Sequence, residues 1–272
     1  MPPRPLQDSE DFPSGSVWLI GAGPGDPELL TRKAARLIAA ADMVFHDALV
    51  SAEILELVAP GAEIVGVGKR SGRHSLAQAD INAQLVDAAL HGRRVARLKG
   101  GDPSIFGRST EEIESLSAAG IRVRICPGVT AASAAAASAV TSLTLRGLSR
   151  RLTLVTAHAR AGDTLDLDWA SLTASDMTLA VYMGRGAAAA VAAGLIEAGR
   201  HPATPVLLAV DVSLPTERLV RGRLDALGFL VKTVSETAPA LLLIGDTFSR
   251  GASPLAEPVT VDAVAINLTG SQ

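Results

Sequence analysis

Cysteine occurs once in the 272 residues, at position 126, which excludes an internal disulfide and any cysteine-rich metal centre. Aromatic residues make up only 3% of the chain, so Ala, Val, Leu and Ile have to form the core. Lysine stands only at positions 33, 69, 99 and 232, and the other 21 of the 25 basic residues are arginine. The formal net charge of −3 argues against a nucleic-acid binder held by a broadly basic surface. No apolar run approaches the ~20 residues of a membrane helix. The opening MPPRPLQDSEDFPSG lacks the apolar stretch of a secretory signal. A cytoplasmic, reducing setting with no membrane and no nucleic-acid partner is expected. His46, His74, His91, His158 and His201 are scattered, without HExxH or other ligand spacing, so no metal is expected. There is no G-x-S-x-G nucleophile elbow.

What is present is 48% hydrophobic residues with 19% charged, which rules out disorder over most of the chain. A chain of this length buries about three quarters of its unfolded surface. From Ser16 onward an apolar run, a glycine turn and an amphipathic stretch recur. Strands are expected at 17–20, 43–45, 63–67, 94–98 and 123–126, with helices at 28–41, 51–57, 78–90 and 110–119. Alternation of this kind indicates a parallel sheet covered on both faces. After Pro127-Gly128 an alanine-rich helix is expected over 130–139. Strands follow at 152–156, 178–183, 206–210, 218–222 and 240–244, with helices at 187–198 and 224–230. The short turn before 218 makes the third and fourth of these strands an antiparallel hairpin. The expected fold class is therefore α/β, with two α/β domains. Residues 16–126 carry a parallel sheet and 127–248 a mixed one, with the site in the cleft between them. Residues 1–15 and 249–272 are expected as loose tails.

Two strands end in nearly the same turn, Gly25-Asp26-Pro27 and Gly101-Asp102-Pro103. Ligands of parallel sheets bind along the carboxyl edge of the strands, so both turns are expected to face one cleft. Tyr182-Met183-Gly184 and Ala209-Val210-Asp211 occupy equivalent strand ends in the second half. The run Gly21-Ala22-Gly23-Pro24-Gly25-Asp26 fails the dinucleotide fingerprint, because Asp26 stands where the third glycine belongs. Pro24 removes a backbone donor and Asp26 places a carboxylate where a phosphate would sit. A neutral or cationic adenosine-type ligand suits these turns better, and S-adenosylmethionine, with its positive sulfonium, is one.

Taken in order, GAGPGDPELLT (21–31), DALVS (47–51), VGKR (67–70), LKGGDP (98–103) with IFGR (105–108), PGVTA (127–131) and YMG (182–184) resemble the tetrapyrrole methylases across roughly residues 16–248. The resemblance implies a homodimer of two-domain subunits holding S-adenosylmethionine in the cleft, with S-adenosylhomocysteine as product and no metal. It implies C-methylation of uroporphyrinogen III at C2 and C7 to give precorrin-2, a tetrapyrrole of sirohaem and cobalamin synthesis. By motif, Pro24, Gly100, Gly101, Asp102, Ile105, Thr130, Ala131 and Met183 match the family's cofactor residues. Asp47 and Lys69 match its proton acceptor and proton donor.

The implied substrate carries eight carboxylates, which arginine binds bidentately. Arg70, Arg73, Arg108, Arg146 and Arg150, with Arg151, lie in or beside the motif loops and are its candidate ligands. The chain departs from the family pattern at Ala48, Ser104, Ser109-Thr110, Leu145 and Asp211-Val212-Ser213. It offers no span for an additional dehydrogenase and chelatase module, so a single activity is expected. Rival readings are a methylase of a later corrinoid intermediate, an NAD-binding oxidoreductase using GAGPG, and a non-catalytic tetrapyrrole carrier.

Overall fold

The computed structural model describes residues 11–68, 77–157 and 165–249. Two five-stranded sheets follow one another along the chain. The first contains β1 (Val17–Gly21), β2 (Met43–His46), β3 (Glu63–Gly66), β4 (Val95–Lys99) and β5 (Val123–Cys126). Its order is β3-β2-β4-β1-β5 and every pairing is parallel. Parallel strands need crossovers, and helices supply them here on both faces.

On one face α1 (Arg32–Ala40) and α2 (Ala52–Leu55) pack Leu37, Ile38 and Ile54 against Trp18, Ile20, Ala96 and Leu98. On the other, α3 (Gln78–Leu90) and α4 (Ser109–Ala118) pack Ile81, Leu85 and Leu116 against Val17, Leu19, Phe45 and Val95. The period-two alternation of Val17 and Leu19 against Trp18 and Ile20 thus feeds two separate cores from one strand.

From β5 the chain passes through Pro127-Gly128-Val129 into α5 (Ala131–Ser138) and the second sheet. This sheet contains β6 (Arg151–Thr156), β7 (Met177–Tyr182), β8 (Pro205–Val210), β9 (Arg218–Arg223) and β10 (Ala240–Ile244). Its order is β6-β7-β10-β8-β9, with β6 and β7 parallel and all other pairings antiparallel. The β8–β9 hairpin is found as expected. Helices α6 (Ala188–Glu197) and α7 (Leu227–Leu230) cover one face, while α5 and Phe248 cover the other. Leu29, from the first half of the chain, packs on that second core. The α/β class, with one parallel and one mixed sheet, is as the sequence indicates.

Two local expectations are corrected and one element is added. The helix expected over 28–41 is split into a 3-10 turn at Pro27–Leu29 and α1, because Thr31 is extended and its hydroxyl accepts from Ala34 N at 3.0 Å as a new N-cap. A 3-10 turn at Trp169–Leu172 was not foreseen. Residues 11–15 are packed rather than loose: Phe12 is buried, Trp18 Nε1 donates to Asp11 O at 3.0 Å, and Gly15 N donates to Arg93 O. Among the described residues no helix is long and apolar enough to cross a membrane.

Candidate active site

Three glycine turns at the carboxyl edge of the first sheet are joined directly. Gly23 and Gly101 exchange backbone hydrogen bonds at 3.1 and 2.7 Å. Gly128 N donates to Asp102 Oδ2 at 2.9 Å. A Cβ on Gly21 would lie 2.5 Å from Gly128 N and 2.7 Å from Gly101 O, so the turns after β1, β4 and β5 meet only because glycine stands there. Around Gly101 itself, at φ 70°, the space where a Cβ would stand is empty.

Asp102 clamps this junction. Its Oδ1 accepts from Ser104 N at 2.8 Å and from the Ser104 hydroxyl, and its Oδ2 from Gly128 N. Burial alone pushes the carboxyl up, but the Ser104 hydroxyl and the two amides outweigh it and hold Asp102 below the usual aspartate value.

The second sheet presents its own edge to these turns. Ser213 Oγ accepts from Asp26 N at 3.0 Å, and the Leu214 side chain fills the position where a Cβ on Gly25 would stand. Tyr182 Oη accepts from Ala132 N at 3.2 Å, and its ring lies 5.2 Å from that of Phe106. Of the cofactor residues expected by motif, Gly101 and Asp102 lie in the joined turns themselves, and Pro24, Gly100, Ile105, Thr130, Ala131 and Met183 are within two residues along the chain of residues that make these contacts. Phe106, Arg108, Met183, Asp211 and Ser213 all have positive φ. Non-glycine residues rarely adopt it, and such strain concentrates at functional sites. Phe106 and Met183 leave apolar surface exposed there.

Asp47 stands at the end of β2, with about a third of its side chain exposed. Arg97 Nη2 donates to its Oδ1 at 2.5 Å. Arg97 is buried on β4 and also donates from Nε to Glu112 Oε1 at 3.0 Å and from Nη1 to Leu98 O at 2.9 Å. Lys99 Nζ donates to Glu112 Oε2 at 2.7 Å. Burial pushes the Lys99 ammonium down, the like charge of Arg97 adds to this, and Glu112 opposes it. The sequence reading missed Arg97 and Glu112. The signal was there in the strand Val95-Ala96-Arg97-Leu98-Lys99, which places two cations on one face of an otherwise apolar central strand.

The described arginines among those expected, Arg108, Arg146, Arg150 and Arg151, are not all on one sheet edge. Lys69, Arg70 and Arg73 lie outside the described residues. Arg108 is at the turn after β4, held bidentately by Glu111 at 2.7 Å on both arms, with both side chains exposed. Arg146 and Arg150 precede β6, and Arg151, paired with Asp176, begins it. Strand β6 runs parallel to β7 in the register Arg151↔Met177 to Thr156↔Tyr182. Arg150 and Arg151 therefore occupy the end of the sheet opposite Tyr182 and Met183, about 17 Å of strand away. Within one chain they do not share the edge that carries the glycine turns. Among the described residues no group of three or more His, Cys, Asp or Glu is placed to hold a metal ion.

Fold and site together define a two-domain α/β protein in which glycine turns at the edge of a parallel sheet meet the edge of a mixed sheet, with an ion-paired carboxylate at the end of β2. The family described as tetrapyrrole (corrin/porphyrin) methylases matches residues 16–228, and the chain belongs to it. A siroheme synthase of Pseudoalteromonas translucida is 45% identical over 237 residues, covering 87% of this chain and 50% of that protein. The chain thus spans about half the length of the curated relatives it matches. A uroporphyrin-III C-methyltransferase from Thermus thermophilus, solved with S-adenosylhomocysteine, is 39% identical with a TM-score of 0.72, covering 85% of this chain and 92% of that one. A cobalt precorrin-4 methyltransferase is 30% identical with a TM-score of 0.76, covering 85% and 95%.

Proposed function

We propose that the chain methylates uroporphyrinogen III at C2 and C7, giving precorrin-2, with S-adenosylmethionine as donor. The observation that carries this is the joined set of glycine turns, with Gly101 open and Asp102 clamped. The likeness to the Thermus uroporphyrin-III C-methyltransferase solved with S-adenosylhomocysteine supports it.

The residues fit such a cofactor. The open face of Gly101 is a cradle that a Cβ would fill, and exposed Met183 and half-buried Ile105 offer apolar contacts. Pro24 and the acidic turns disfavour a phosphate and suit a cation. Pro24, Gly100, Gly101, Asp102, Ile105, Thr130, Ala131 and Met183 would hold it. When bound, S-adenosylmethionine supplies an electrophilic methyl that an electron-rich pyrrole carbon attacks without metal or covalent enzyme adduct.

The chain's contribution is largely positional, which is worth roughly 7–11 kcal/mol where two reactants are held in line. The methylated ring then has to lose a proton, and the Asp47 carboxylate is read as the group that accepts it. Lys69 is read as the proton donor. Arg108, exposed and paired only with exposed Glu111 among the described residues, is read as exchanging Glu111 for a substrate carboxylate. A homodimer belongs to the same reading, and light scattering of the purified chain checks it.

The test is mass spectrometry of the product from purified protein, uroporphyrinogen III and S-adenosylmethionine, where two added methyl groups are expected. The higher TM-score to a cobalt precorrin-4 methyltransferase favours a second reading, methylation of a later corrinoid. An enzyme that leaves uroporphyrinogen III untouched and methylates such a corrinoid establishes that reading instead.

A further inference from the structure

Arg97, Lys99 and Glu112 are 2%, 3% and 0% exposed, and ions taken this far out of water are strongly unfavourable unless paired and fully hydrogen-bonded. Here they are. Glu112 Oε1 accepts from Arg97 Nε at 3.0 Å and from Gln78 Nε2 at 3.4 Å, and Oε2 from Lys99 Nζ at 2.7 Å. The guanidinium of Arg97 is fixed through Nε, Nη1 and Nη2 by Glu112, the Leu98 carbonyl and Asp47. Strand β4 and helix α3 thus converge on Glu112 of α4, which in turn holds Arg97, and among the described residues Asp47 is the one partner of Arg97 with substantial side-chain exposure. Stability alone is a weak reason for such a cluster, since buried ion pairs are often replaceable by apolar residues without loss. What the cluster achieves is a carboxylate anchored by Oδ1, while Oδ2 meets no donor among the described residues.

We propose that Arg97, locked by Glu112, is a positioning residue that fixes the Asp47 carboxylate so that Oδ2 is aimed for proton acceptance. This rests on the reading of Asp47 as the proton acceptor. Arginine stays charged throughout, so Arg97 takes no proton itself and acts only through Asp47. The planar fork matters because it reaches Asp47, Glu112 and the Leu98 carbonyl at once, which the point charge of lysine does not.

The experiment compares Arg97→Lys, Asp47→Asn and the double variant. Folding is followed by circular dichroism, turnover with uroporphyrinogen III, and S-adenosylhomocysteine affinity by calorimetry. Arg97→Lys is expected to lower kcat about ten- to hundredfold, as a misplaced reacting group does, with KM and the S-adenosylhomocysteine Kd changed less than about twofold. The double variant is expected to be no slower than Asp47→Asn, because both changes remove one function. A normal kcat in Arg97→Lys alongside a slow Asp47→Asn overturns the positioning role while leaving Asp47 as acceptor. So does a double variant slowed by the product of the two effects. A normal kcat in Asp47→Asn removes the acceptor reading, and this inference with it. Should Arg97→Lys not fold, Glu112→Gln, which keeps an acceptor for Arg97 Nε while releasing its charge, is expected to lower kcat in the same direction. An unchanged kcat there is the overturning result.

Discussion

Asp102 commits both carboxylate oxygens to its own protein, to Ser104 on one side and Gly128 on the other. Its influence on a ligand therefore runs through the shape of the turns. Asp102→Asn places an amide N–H against one of those donors. The loss of charged hydrogen bonds, about 1.5–3 kcal/mol each, is expected to weaken S-adenosylhomocysteine binding at least tenfold by calorimetry. Because the folded carboxyl lies below its ordinary value, its stabilisation is complete above about pH 4. It is lost as pH falls through the lower folded value. Urea denaturation from pH 6 to pH 3 should show this acid loss in the native protein and a shallower one in Asp102→Asn. Gly21 is the complementary case: a Cβ there strikes Gly128 N and Gly101 O. Gly21→Ala is expected to cost about 1–3 kcal/mol by overpacking and to weaken S-adenosylhomocysteine binding together with stability. An alanine variant with native midpoint and affinity would show that the turns do not depend on this contact.

At the scale of elements, arginine has a structural role that composition could not distinguish from substrate binding. Buried Arg200 donates to the carbonyls of Leu172, Ala174 and Met177, tying the turn before β7 to the end of α6. Arg185 likewise gathers Val231, Val234 and Ala238, and Arg221 joins Ala139 to Phe248. Arg200→Met is expected to remove about 3 kcal/mol or more by leaving those carbonyls unpaired. That lowers Tm by roughly 6 °C or more in a protein of this size, with S-adenosylhomocysteine affinity unchanged. Elements with clear periodicity and flanking turns were legible in the sequence: α3, β5 and β10 have the bounds the pattern implies. The break at Leu30-Thr31 was not, because Leu29, Leu30, Ala34 and Leu37 keep helical spacing across it while the Thr31 hydroxyl starts α1 afresh. The glycine turns were legible because glycine and proline act locally. The joint role of Arg97 and Glu112 was not, since Asp47 meets Arg97 only once β2 lies beside β4 and Glu112 meets Arg97 and Lys99 only once α4 covers β4. Ser104, Ser109 and Ser213, departures from the family pattern, all tie cleft turns: to Asp102, to the Pro103 carbonyl and to the Asp26 amide. What those serines do depends on distances that no local pattern encodes.

For the whole molecule, the decisive arrangement is two sheets whose strand ends face each other, joined by the Asp26–Ser213 hydrogen bond and by Leu29 packed on the second core. A ligand held between them stabilises both at once. At a hundred times its Kd, S-adenosylhomocysteine adds about 2.7 kcal/mol, so a Tm rise of about 5–10 °C is expected by scanning calorimetry, as one shifted transition. Two transitions of which only one moves would mean that the ligand rests on a single sheet. The order of strands has a further consequence, for the time in which the protein is made. The first sheet is complete once Cys126 has left the ribosome, whereas β10 lies between β7 and β8, so the second core has no centre until Ile244 emerges. A half-made chain is therefore one finished domain trailing an open one. Pulsed hydrogen exchange during refolding should protect β1 and β4 before β7 and β8.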